Sequence, residues 1–154
     1  MDMLATLHRI GLFAELRTPE LEKIAGIVRS EKHPAGAKVF SEGDAGAAMY
    51  LVKSGRVRVS KTPPGCGEEA LAILGPGSVF GEMAVLDGGK RSADVLVMDT
   101  AELLVIERRQ FAQLLFEDKE LAYYVLSAIV QTLAGRLREM DNKLIAFFMM
   151  ARFT

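Results

Sequence analysis

The chain has 154 residues, of which 50% are hydrophobic and 25% charged, enough to bury the core of one globular domain. Nineteen Lys and Arg nearly balance twenty Asp and Glu, a net charge of −1 without the basic excess of a nucleic-acid module, so no direct nucleic-acid partner is expected. A single cysteine, Cys66, excludes an internal disulfide and any multi-cysteine metal centre, and agrees with a reducing, cytoplasmic setting.

Residues 1–30 read as a helical segment, and nothing in it has the form of a signal peptide. Leu4, Leu7 and Ile10 share one helix face. Thr18-Pro19-Glu20 reads as a second helix start: Thr18 caps, Pro19 suits the first helical position, and Glu20 favours the positive dipole end. The apolar spacing predicts that this helix continues through Leu21, Ile24, Ala25, Ile27 and Val28 and packs with the first as a lid on a sheet. The two histidines, His8 and His33, stand apart from any spaced ligand set and read as exposed or capping side chains.

Between residues 31 and 107 the period changes from helix to strand. Lys38–Phe40, Met49–Val52, the alternating stretch around Val57 and Val59, Ala70–Leu74, Ala93–Met98 and Leu103–Ile106 read as short strands. Turns rich in glycine and proline separate them, among them His33–Gly36, Glu42–Gly46, Pro63–Gly67 and Gly75–Gly77. Many short strands at this pace predict a sandwich or barrel.

Residues 108–154 return to helix, a short one over Arg109–Phe116 and a long one from Lys119 to about Phe148. Along the second, Tyr123, Leu126, Val130, Leu133, Leu137, Met140, Leu144 and Phe147 lie alternately three and four residues apart. That is a heptad seam, longer than one small barrel covers, and it predicts a homodimer through the Tyr123–Phe147 helix. In a parallel pair Arg136 falls at a g position and Asp141 at the following e position, an attractive contact between chains. The most apolar run, Leu144–Met150, is far shorter than the roughly 18 residues of a membrane span, so no membrane partner is expected.

Chemistry concentrates in Ser78–Val95. Gly81 and Glu82 open a short helical turn, Gly88-Gly89 reverse the chain, and Arg91 enters the next strand beside Ser92. A helix start carries unpaired backbone N–H groups and favours an anion. Gly81 permits close approach of a ligand, and Arg91 supplies a planar multidentate donor for a phosphate. No metal spacing and no Ser-His-Asp set accompanies them, so the chain reads as a binder rather than an enzyme, with no cofactor.

Phe80-Gly81-Glu82-Met83-Ala84…Arg91-Ser92-Ala93 resembles the phosphate-binding cassette of the cyclic-nucleotide-binding domain family, which includes catabolite activator proteins and cAMP-dependent kinase regulatory subunits. The resemblance extends over nearly the whole chain, through Leu12–Leu16 and through Glu42-Gly43-Asp44 to Met49–Gly55. It implies a mainly β fold with flanking helices: a double-stranded β-helix, or jelly-roll, barrel with N-terminal helices and a long C-terminal helix, all one domain. It further implies that Glu82 accepts from a ribose 2′-hydroxyl, with the N–H groups of Gly81, Met83 and Ala84 nearby, and that Arg91 pairs with the cyclic phosphate. Ser92 and Ala93 complete the phosphate cradle, and Leu74, Val79, Met83 and Val95 wall the apolar side. The long helix closes over the base through Arg136 or Leu133.

The function implied is a cyclic-nucleotide sensor, cAMP ahead of cGMP because serine rather than threonine stands at Ser92, in which ligand moves the C-terminal helix. Two alternatives share the same residues. One is a dimerisation module without ligand; the other is the sensor part of a catabolite-activator-type transcription regulator, whose helix-turn-helix is not expected in a chain ending at Thr154. The residues name no effector protein.

Overall fold

In the computed structural model, which describes residues 2–152, two helices and a 3-10 turn precede eight strands. Met1 and residues 153–154, the outer limits of the expected segments, lie outside the described residues. The N-terminal elements are α1 (Met3–His8), a 3-10 turn (Gly11–Phe13) and α2 (Thr18–Ala25). The strands are β1 (Val28–His33), β2 (Lys38–Phe40), β3 (Ala48–Ser54), β4 (Val57–Lys61), β5 (Glu69–Leu74), β6 (Val79–Phe80), β7 (Asp94–Val97) and β8 (Ala101–Glu107). A short helix α3 (Glu82–Asp87) interrupts them, and α4 (Arg108–Glu117) and α5 (Lys119–Arg152) follow.

The strands form two four-stranded antiparallel sheets, ordered β1-β8-β3-β6 and β2-β7-β4-β5. This is the double-sheet jelly roll, mainly β with flanking helices and a long C-terminal helix. The strands pair as two separate four-stranded ladders, with no pairing that closes them into one barrel among the described residues.

β8 explains why one chain builds two cores. Leu103, Leu104, Val105 and Ile106 are all fully buried because both faces of this central strand are covered. Leu104 and Ile106 meet the helices, packing with Leu7, Ile10, Phe13, Ile24, Phe111, Leu121 and Val125. Ala101 and Leu103 turn the other way, into the space between the sheets with Val52, Val57, Phe80, Val95 and Val97. The N-terminal pair therefore packs on the sheet as expected.

Three local readings are corrected. Arg17, not Thr18, is the extended residue before α2, and the Glu20 carboxylate accepts from the Arg17 backbone N–H at 3.4 Å, so Thr18 already lies inside the helix. The helix stops at Ala25, before Gly26, instead of running through Val28. Val28 instead begins β1, whose register pairs it with Ile106, so the β region starts at residue 28 rather than 31. β1 escaped sequence reading because it is an edge strand of mostly polar residues with no apolar alternation.

Candidate functional site

Backbone pairing fixes the position of Arg91. Its N–H donates to the Asp44 carbonyl and its carbonyl accepts from the Gly43 N–H, both at 2.8 Å, clipping the chain to the turn between β2 and β3. The side chain is then carried inward until only 5% of the residue is exposed. Nη1 donates to the Gly81 carbonyl at 3.0 Å and Nη2 to the Ala48 carbonyl at 2.5 Å. One face of the guanidinium lies on the Phe40 ring, 4.1 Å from its centroid. Nε is buried and without a partner, and no carboxylate pairs with Arg91 among the described residues. Burial pushes the guanidinium below its ordinary pKa, opposed by Tyr50 and Asp44. A buried cation held only by neutral groups is costly, and an anion beside it offsets that cost.

α3 brings the second polar group. Gly81 precedes it in the left-handed region, φ 77°, and a Cβ there would come within 2.6 Å of Arg91 Nη1. Glu82 follows at the first helical position and is buried. Its Oε1 accepts from Arg136 Nη1 at 2.9 Å, the point at which α5 meets α3. Gly46 lets the β2–β3 turn close on this helix, since a Cβ at that residue would sit 2.1 Å from the Ala84 Cβ.

A cavity of about 540 Å³ opens between these groups, within the range of small-molecule sites. It is lined by Leu74, Val79, Gly81, Glu82, Met83, Ala84, Arg91, Ser92, Ala93, Val95 and Arg136, all expected from the sequence. Leu133 is the exception. It lines an adjoining cavity of about 180 Å³ with Gly11, Leu12, Ile129 and Thr132, because α5 turns that side chain toward the helical core. Arg136, on the cavity wall, pairs with Glu82 of its own chain.

Sequence reasoning left Phe40, Val59, Ala72, Asp87 and Lys90 out of the lining and gave Phe80 only as the start of the cassette. Val59 and Ala72 were legible in principle, for they alternate with Val57 and Leu74 on paired strands. Phe40 was not, because its place depends on the pairing of β2 with β7, where it faces Val95. Among the described residues no group of three His, Cys, Asp or Glu could hold a metal ion, and no helix is long and apolar enough to cross a membrane.

A family model described as the cyclic nucleotide-binding domain matches residues 30–118. The chain is similar to the cyclic AMP receptor protein of Thermus thermophilus, 40% identical over 133 residues, covering 86% of this chain and 60% of that protein. It is also similar to two solved structures. The catabolite activator protein of Thermus thermophilus superposes with a TM-score of 0.79 at 38% identity, covering 87% of this chain and 61% of that one. A cyclic nucleotide-binding domain from Methylobacillus flagellatus gives a TM-score of 0.80 at 29% identity, covering 93% and 80%. The chain spans about 60% of the length of the first curated relatives it matches.

Proposed function

This chain belongs to the cyclic nucleotide-binding domain family, and from that premise we propose that it is a sensor of cAMP, ahead of cGMP, which reports occupancy through α5. The observation that carries the reading is Arg91, a buried guanidinium with no ion-pair partner among the described residues and an unpaired Nε, on the wall of a cavity the size of a nucleotide site. The cyclic phosphate is the missing anion. Arg136 takes Glu82 Oε1, so a ribose 2′-hydroxyl donates to Oε2, and the carboxylate ties ligand to helix. Leu74, Val79 and Val95 supply apolar surface for the sugar and base. Serine at Ser92 supports the adenine ligand, as does the cyclic AMP receptor protein among the relatives.

Ligand moves α5 only to the extent that it binds one helix position more tightly than another. The role is binding and switching, with no chemistry on the nucleotide, in the cytoplasm. In a longer protein the same unit serves as the sensor half of a catabolite-activator-type regulator.

Calorimetric titration with cAMP and cGMP tests the site. Removing one side of a buried charge pair costs roughly 2–5 kcal/mol. Arg91→Ala should therefore weaken binding about thirty-fold or more. Parent-like binding by Arg91→Ala overturns the assignment of the phosphate seat.

A second reading, homodimerisation through α5, has its own support. The face of α5 that meets its own domain is Leu121, Ala122, Val125 and Ile129. Of the heptad residues Leu133 packs on the helical core, while the others are exposed, among them Leu137 by 60%, Met140 by 65% and Phe147 by 65%. A stripe left uncovered by its own fold suits a second copy of the same helix.

A further inference from the structure

We propose that Phe40 is the positioning residue for Arg91, its ring setting the plane in which the guanidinium meets an anion. The inference rests on the reading of Arg91 as the phosphate partner. Two carbonyls, Gly81 O and Ala48 O, hold the Nη edge of the guanidinium. They fix its edge but leave its face open. Phe40 closes that face, with its ring centroid 4.1 Å from Cζ, while the second aromatic neighbour, Tyr50, is 5.8 Å away.

The Phe40 ring is itself held from both sheets. It projects from β2 in one sheet and packs tilted, at 5.9 Å, on both Tyr50 and Phe80 of the other. Those two stack on each other at 5.1 Å. The guanidinium thus rests on an aromatic cluster wedged between the sheets, and its orientation is tied to how the sheets close.

The choice of an aromatic support has a chemical consequence. A carboxylate in the same place would hold the arginine equally well but would neutralise it. A ring attracts a cation through its quadrupole and carries no net charge. Phe40 therefore orients Arg91 while leaving its full positive charge for the ligand.

The test combines calorimetry with the NMR signal of the Arg91 Nε–H, assigned by its loss in Arg91→Lys. In the parent that buried, unpartnered Nε–H should exchange slowly with solvent. Phe40→Leu keeps an apolar side chain and should weaken cAMP about tenfold. It should also speed exchange of the Nε–H toward that of a free arginine, a readout that does not depend on the ring current. Phe40→Tyr should retain both the affinity and the slow exchange. Phe40→Met replaces Phe40→Leu if the latter does not fold. Loss of affinity with Nε–H exchange as slow as in the parent would make Phe40 a cavity wall only and overturn the proposal. So would an unchanged affinity in Phe40→Leu beside a binding-dead Arg91→Ala. Parent-like binding by Arg91→Ala itself would instead remove the phosphate reading beneath it.

Discussion

At Gly81 one missing Cβ serves two purposes. The backbone there has φ 77°, which costs a side-chain-bearing residue about 1–2 kcal/mol. The absent Cβ also leaves room for Arg91 Nη1, which would otherwise stand 2.6 Å away and be pushed off the Gly81 carbonyl. Gly81→Ala should therefore lower both stability, by about 1–2 kcal/mol, and cAMP affinity, by tenfold or more. Thermal unfolding and calorimetry read the two effects separately. A folded Gly81→Ala protein with parent affinity would mean that the guanidinium needs no such close approach. These residues were legible in the sequence because Gly81, Glu82 and Arg91 lie within one short stretch. The Phe40 contact with Arg91 and the Arg136 bond to Glu82 were not, since each joins residues far apart in the chain and depends on strand pairing or helix direction.

Among the elements, α5 is anchored at its start by one residue outside it. Asp118 is a single extended residue between α4 and α5. Its Oδ1 accepts from the Leu121 N–H at 3.0 Å, and its Oδ2 accepts from Lys23 Nζ of α2 at 2.7 Å. The first of these, then Lys23, hold the Asp118 carboxyl below its ordinary pKa. A carboxyl depressed on folding adds stability above its unfolded pKa, and that contribution is lost as pH falls through the folded value. Acidification should thus loosen the start of α5. Asp118→Asn should be less stable at neutral pH and lose less stability between neutral pH and mild acid than the parent. Melting temperatures across that window check it, and parallel curves for the two proteins would contradict it. The α5 seam was plain in the sequence because a sustained spacing of three and four has few other meanings. β1 was hidden because an edge strand needs no apolar face, and the end of α2 was misjudged because Ile27 and Val28 continue an apolar run into the strand.

At the scale of the molecule, the body and the end of α5 have different sources of stability. The body rests on two cores divided by β8. Every residue from Arg136 to Arg152 is exposed, and an isolated helical stretch of this length is marginal in water. On the dimer reading, a second copy covers Leu137, Met140, Leu144 and Phe147, which are exposed in the single chain. The parent should sediment as a dimer, and a Leu137→Glu, Leu144→Glu double variant as a monomer with its body still folded. A monomeric parent at micromolar concentration would remove the dimer reading and leave the sensor intact.

The ion pair at Arg136 ties α5 to α3, and every residue of the helix from there to Arg152 is exposed. Beyond it the helix extends about 25 Å as a rigid arm, so a tilt of about 10° at that pivot carries the tip about 4 Å. Adjustments of a fraction of an ångström beside Glu82 are thereby magnified, by leverage alone, into displacements wide enough for a neighbouring chain to register.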